Sequence, residues 1–287
     1  MSKPLSQLLI LGLITTMATL FTLTRDVQGQ EAILAGAMFA LLALSFLLEH
    51  LRPFNRDWNA STGDLGGDVI SAGIIIGVLE PALKWGTPFV ILALVSPPVS
   101  PLMPLWAEVI IVTLLIELGA YVSHRLHHSV KGLWALHAVH HSPTRLYTLN
   151  NFRFSPLNHI INHAFMIVPV LALGFSAESV LAYTAISAPL LLLQHTNFSF
   201  QFGGLNLVFN TNQLHRWHHS ATASEGNFNL GRSLIIWDRV FGTYYNPQDR
   251  AAPARLGLFS ASRSFPAVSR FGAQLVYPFT KACCARA

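Results

Sequence analysis

Three copies of H-x-x-H-H constrain this chain more than any other feature. They are His124, His127 and His128, then His137, His140 and His141, and finally His215, His218 and His219. They hold nine of the thirteen histidines. On a helix, positions i, i+3 and i+4 are surface neighbours, so each copy presents three imidazoles toward one point. Neutral imidazole binds zinc, copper, iron or nickel. Nine imidazoles exceed what one ion takes and suit two. The boxes contain no cysteine, aspartate or glutamate. That argues against a thiolate-rich zinc site and against a carboxylate-bridged di-iron bundle. A lone histidine is ordinarily a surface or satisfied core residue, but three boxes in one chain are not explained that way. The fold must bring three separated segments to one metal cluster.

The rest of the chain says where that cluster sits. Hydrophobic residues make up 52% and charged residues only 11%, against about 25% charged in a soluble domain. The mean hydropathy is +0.46. This is the composition of an integral membrane protein. Its net charge of +5 fits basic cytoplasmic loops, so nucleic-acid binding is not inferred. The adjacent Cys283 and Cys284 are the only cysteines, and neighbours rarely bridge, so they are read as an unbridged pair.

Apolar runs over 6–24, 32–48, 69–96 and 105–123 predict four spans, each near or above the ~20 residues a crossing needs. The first is read as a span rather than a cleaved signal, because no small-x-small site follows it. Glu80, Pro81, Lys84 and Pro88 interrupt the third, which predicts a kinked helix or two half-helices. Glu80 and Lys84, spaced i, i+4, are expected to pair. The fourth runs straight into His124. Glu117 inside it is read either as a metal-orienting or ligating group or as a helix-interior contact. Residues 160–194 suit two short helices turning at 174–179. This hairpin returns the chain to the face it left, as His141 and His215 require if they share a site. The run F-G-A-Q-L-V-Y-P-F after Arg270 is expected at the membrane interface. Counting spans from an inside N-terminus leaves only Arg25 in an outside loop, which places the metal site on the cytoplasmic face. The fold expected is therefore an all-α integral membrane protein. It has about four transmembrane helices, a re-entering helical hairpin, and a cytoplasmic helical cap carrying a histidine-ligated dimetal site. Its divisions are 1–104 for the first spans, 105–250 for the catalytic part and 251–287 for a cytoplasmic or interfacial tail.

In order along the chain, H-R-L-H-H, L-W-A-L-H-A-V-H-H-S, L-L-Q-H-T-N-F, L-H-R-W-H-H-S and W-D-R-V-F-G-T-Y resemble the fatty acid hydroxylase / sterol desaturase superfamily. The resemblance covers residues ~105 to 247. It implies a membrane-embedded di-iron oxygenase that uses two non-haem irons and dioxygen. Its ligands would be His124 and His128, then His137, His140 and His141, then His195, and then His215, His218 and His219. His127 falls between ligand positions. Many members carry a histidine where this chain has Ser155, which leaves His159 and His163 as substitutes or, preferably, bystanders. Asn197, Asn212, Asn227, Asn229 and Asp238 are candidates to orient the imidazoles. Asp238 could instead pair with Arg232 or Arg239, and Trp217 and Trp237 could be interface anchors. The substrate expected is a lipid entering from the bilayer, hydroxylated in preference to desaturated. Sterols, acyl chains, ether lipids, amino-lipids and carotenoids stay open. Electrons would come from a separate reductase, since the sequence holds no G-x-G-x-x-G, haem or iron–sulfur pattern.

Three rivals stand beside this reading. The acyl-chain desaturases and alkane hydroxylases share histidine chemistry but not the W-D-R-x-F-G-T-Y run. A non-catalytic metal transporter or sensor would want a polar path through the spans, and charged residues such as Glu80, Lys84, Glu117 and Glu178 are sparse there. A zinc hydrolase would want a glutamate base, as in H-E-x-x-H.

Overall fold

Length and hydropathy set the helices of the computed structural model, which describes residues 1–94, 103–280 and 283. Among the described residues, four helices are long and apolar enough to cross a membrane: Lys3–Thr24 (α1), Gln30–Leu51 (α2), Leu65–Leu94 and Leu105–Ser129. The third is continuous. It comprises Leu65–Ile74 (α3), a π turn over Ile75–Leu79 and Glu80–Leu94 (α4). Pro81 has no N–H to return to the carbonyl four residues earlier, and the helix widens just ahead of it. So the interruptions kink one helix and do not split it; the end of this run and most of the following loop lie outside the described residues. The fourth spanning helix, Leu105–Ser129 (α5), has 25 residues. That exceeds the ~20 a crossing needs, so its last turns can project and carry the first box beyond the apolar layer.

Shorter helices follow. Lys131–His141 (α6) carries the second box. Pro156–Ala172 (α7) and Ala177–Leu193 (α8), 17 residues each, form the expected hairpin. Asn212–His218 (α9) carries the third box and ends on His219. Ala223–Gly226 (α10), Ile236–Val240 (α11) and Phe271–Val276 (α12) complete the described chain. No strand occurs among the described residues, only isolated bridges such as Pro53 with Phe198 and Ser220 with Leu256.

Small residues set the helix packing. Ala182, Ala185 and Ala188 of α8 lie against Met17 and Phe21 of α1 and Leu34 and Leu41 of α2. In a bilayer, close backbone approach is what holds helices together. α5 crosses α7 at Gly119, where a Cβ would lie 2.2 Å from the carbonyl oxygen of Phe165. Large apolar side chains such as Leu8, Phe39, Phe89 and Trp106 face outward from the spanning helices.

Charged residues in the spans are tied between helices. Lys84 pairs with Glu31 of α2, and Glu80 lies 3.0 Å from His159 Nε2 of α7. The expected Glu80–Lys84 pair is therefore corrected: each finds its partner on a neighbouring helix. Glu117 accepts from the backbone N–H groups of Ser233 and Leu234 and from the Tyr183 hydroxyl. It is an interhelical contact, outside the histidine cluster. At the opposite end of the bundle, Arg25 pairs with Glu178. A further correction concerns the C-terminal region. There Phe271 of α12 packs with Phe265 on Ala138 and Val139 of α6, while Val276 and Phe279 of the same run stay exposed. Cys283 is disulfide-bonded, not unbridged, and Cys284 lies outside the described residues.

Candidate metal centre

Each box sits where a helix ends at the same side of the bundle. His124, His127 and His128 occupy the last turns of α5, and His137, His140 and His141 the last turns of α6. His215 and His218 lie on α9, with His219 as its C-cap. His195 follows α8, at the point where the hairpin returns. Along a helix, residues i and i+4 project about 40° apart, whereas i+3 lies about 100° from i+4. The middle histidine of a box thus points away from the outer two.

The structure uses that divergence to build two groups. His124, His128, His137, His141 and His218 form one, and His140, His195, His215 and His219 form the other. In each, the offered ring nitrogens lie within 4.8 Å of one another. The second and third boxes exchange their middle members. His137 and His141 join His218, while His215 and His219 join His140. The groups adjoin, with the His141 and His219 rings stacked at 4.4 Å.

Hydrogen bonds on the outer ring nitrogens fix which nitrogen faces inward. Carbonyl oxygens only accept, so an Nδ1 facing one must carry the hydrogen. His124 Nδ1 donates to Leu230 O at 2.7 Å, His218 Nδ1 to Phe228 O at 3.0 Å and His140 Nδ1 to Arg153 O at 3.2 Å. Asn158 Oδ1 accepts from His137 Nδ1 at 3.0 Å, Asn227 Oδ1 from His128 Nδ1 at 3.0 Å and Asn150 Oδ1 from His195 Nδ1 at 2.7 Å. Asn150 Oδ1 also accepts the Tyr147 N–H, which settles its amide orientation. On these six rings the bare Nε2 therefore turns inward. The Nε2 atoms of His124 and His137 lie 2.9 Å apart, and His195 Nε2 lies 2.9 Å from His215 Nε2. The Nε2 atoms of His128 and His218 are buried with no protein partner. Converging lone pairs without an intervening hydrogen repel each other unless a cation lies between them. This donor set fits divalent transition metals of borderline softness.

Burial keeps the rings neutral. It holds His137, His141, His195, His215, His218 and His219 well below the ordinary imidazole value. His140 is pushed down to about 3. The neighbouring histidines add to this, because a second positive ring would be repelled. Phe154 stacks on His140 at 4.3 Å, and Trp134, itself stacked on Phe259, lies 5.1 Å from His128. The group of four is wholly buried. The group of five reaches partly exposed surroundings through His124 and His128.

The remaining candidates divide. His127 lies outside both groups: its Nδ1 donates to Ser123 O, and its Nε2 accepts from Asn158 Nδ2 at 2.9 Å. Asn158 thus links His127 to His137. His163 bonds Thr87, and His159 faces Glu80; neither joins a group. Ser155 precedes the first turn of α7. Of the expected orienting residues, Asn227 touches a ring directly. Asp238 accepts from the Leu230 and Gly231 amides and so holds the carbonyl that binds His124. It does not pair with Arg232 or Arg239, which bond Tyr183 OH and Leu207 O. Asn197, Asn212 and Asn229 bind backbone instead. Trp217 is buried, not an interface anchor.

Asn150 and Asn158 escaped the sequence reading. Both lie in the polar stretch just after the second box, and proximity to it was the available signal. Beneath that box, Asp64 pairs with Arg145 at 2.7 Å and Asp68 with the fully buried Arg153. Arg153 also supplies the carbonyl that accepts from His140.

Comparison with known proteins agrees with this geometry. A family model described as fatty acid hydroxylase matches residues 109–243. The chain is 32% identical over 249 residues to the ornithine lipid hydroxylase OlsE of Rhizobium tropici, spanning 84% of this chain and 73% of that one. A 56-residue stretch, 20% of this chain and 13% of the relative, is 39% identical to the alkylglycerol monooxygenase of Danio rerio. No solved structure matches. With its three boxes, its helical spans and a relative aligned over most of both chains, this protein belongs to the fatty acid hydroxylase / sterol desaturase superfamily.

Proposed function

We propose that this protein is a membrane-bound di-iron lipid hydroxylase, using dioxygen and electrons from a separate reductase. The observation that carries the reading is the partition of nine imidazoles, seven of them buried, into adjoining groups of five and four whose ring nitrogens lie within 4.8 Å of one another in each group. His124, His128, His137, His141 and His218 would hold one iron, and His140, His195, His215 and His219 the other. A reduced iron pair with dioxygen supplies an oxidant able to act on an unactivated C–H bond.

The protein's own residues do the rest. Leu230 O, Phe228 O, Arg153 O and the three asparagines hold six of the rings at fixed tautomer and angle. Phe154, Trp134 and Phe259 pack against the cluster and limit water there. The group of five, being the more open, is where a substrate chain would approach. Hydroxylation places one oxygen atom in the C–H bond and releases the other as water, with an electron pair and two protons delivered from outside. Both named relatives are hydroxylating enzymes by their names, which favours this outcome over desaturation. The first also favours a lipid with an amino-acid headgroup. Lys3, Arg52, Arg56, Lys131 and Arg145 lie at the metal end of the spans, which favours the cytoplasmic face for the site.

The test is metal content by mass spectrometry on detergent-purified protein, with lipid analysis of cells with and without it. About two irons per chain are expected, lost in His140→Ala and His218→Ala, together with a lipid species heavier by one oxygen. One zinc per chain that ferrous iron under reductant does not replace would sink the di-iron reading. Reversible metal exchange with no lipid change would favour a transporter or sensor.

A further inference from the structure

Arg216 lies between two candidate ligands in the third box but points elsewhere. It is 3% exposed, and it forms no ion pair with a carboxylate among the described residues. Its contacts are neutral. Nη2 donates to Asn212 Oδ1 at 2.7 Å, and the guanidinium carbon lies 3.6 Å from the Phe54 ring centre. Its Nε is buried without a partner. A buried cation with an unused donor is costly unless an anion compensates it.

Arg216 lines a cavity of about 300 Å³, together with Lys3, Phe54, Gln201, Gly203 and Gln213. No acidic residue lines it. The Gln213 oxygen accepts from Asn206 Nδ2 at 3.0 Å, so the group it can offer the cavity is its amide N–H. Lys3 begins α1, and Phe54 follows the end of α2 at Leu51. The cavity therefore sits where two spans leave the apolar layer, at headgroup depth. Arg52 and Arg56, in the same loop as Phe54, are exposed.

We propose that this cavity binds the anionic headgroup of a membrane lipid, its phosphate or carboxylate seated on Arg216 with Lys3 at the rim. The inference goes beyond the oxygenase reading and does not depend on it, since the site would fill with or without turnover. It also has a route to the metal centre. Asn212, which accepts from Arg216, donates to Gln194 O and Thr196 O on either side of His195, each at 2.8 Å. A bound headgroup would steady the segment carrying His195 and His215.

The experiment is a thermal-shift titration of iron-loaded protein in neutral detergent. The probes are dihexanoyl phosphatidylglycerol, dihexanoyl phosphatidylcholine and inorganic phosphate. The variants are Arg216→Gln and Lys3→Glu, with iron content measured in each. Phosphatidylglycerol is expected to raise the unfolding midpoint of the native protein at the lowest concentration. Its apparent affinity should fall roughly tenfold or more in Arg216→Gln and by a smaller factor in Lys3→Glu, as loss of a charge-assisted contact predicts. Iron content in Lys3→Glu should equal the native value. Lys3 is exposed, so that variant carries the test if Arg216→Gln does not fold. Equal affinities across the native and variant proteins, or equal binding of phosphatidylglycerol and phosphatidylcholine, would overturn the proposal. Binding of inorganic phosphate as tight as that of the lipid would overturn the headgroup assignment.

Discussion

His127 and His128 are adjacent, yet helix geometry turns them to different partners. His128 offers a bare, buried Nε2 to the group of five. Both ring nitrogens of His127 are already used, by Ser123 O and by Asn158. His127→Gln should therefore keep the native iron content, while His128→Ala should lose at least one iron per chain; equal loss in both would place His127 among the ligands. Asn158 is the sharper probe of orientation, since it binds His127 and His137 with opposite ends of one amide. Asn158→Leu should weaken metal affinity about 10–100-fold, the usual effect of removing such a partner, as read by chelator competition. The His127 assignment was only half legible in the sequence. Spacing put it on the box's helix, but what occupied its Nε2 depended on a residue 31 positions away.

At the scale of elements, the centre depends on how α5 and α6 are seated. α5 approaches α7 so closely at Gly119 that a methyl group would strike the Phe165 carbonyl. Gly119→Ala should cost roughly 1–3 kcal/mol, the range for overpacking, and should show as a lower unfolding midpoint and looser iron. The loop after α6 is held by the buried Asp64–Arg145 pair. Removing one partner leaves the other charge stranded, so Asp64→Ala should destabilise by roughly 3–5 kcal/mol. The double variant Asp64→Leu/Arg145→Met should be less damaging than either single change; a double variant worse than both would refute this account. Helix positions were readable from apolar runs because length and hydropathy decide what crosses a bilayer. The Glu80–Lys84 pairing was misread because spacing along one helix says nothing about charges on its neighbours.

For the whole molecule, burial of neutral histidines makes the metal-free fold sensitive to acid. Their folded-state values lie below the unfolded value of about 6.5, with His140 at about 3. The unfolded chain therefore binds more protons over that window, and stability falls as pH falls. The contribution is complete above pH 6.5. Below it, protonation of the unfolded chain costs the metal-free fold stability progressively, His140 among the contributors. The midpoint of chelator-stripped protein should drop markedly between pH 7.5 and 5, and that of the iron-loaded protein less, because bound metal holds the lone pairs. A stripped protein whose midpoint is flat over that range would contradict the burial described.

The sequence by itself determined the helical spans, the hairpin that brings His195 and His215 back to the other boxes, and eight of the nine histidines that meet, all of them in the three boxes. These follow from local rules, namely apolar length, helical spacing and the donor chemistry of imidazole, whereas His195 and the exclusion of His127 came from the family resemblance. Tertiary structure alone decided the division into five and four, the exchange of His140 and His218, the roles of Asn150 and Asn158, and the unpaired Arg216 beside its cavity. The reason is geometric. Spacing gives the angle of a side chain about its own helix axis, whereas the roll and approach of each helix against the others decide which side chains it meets.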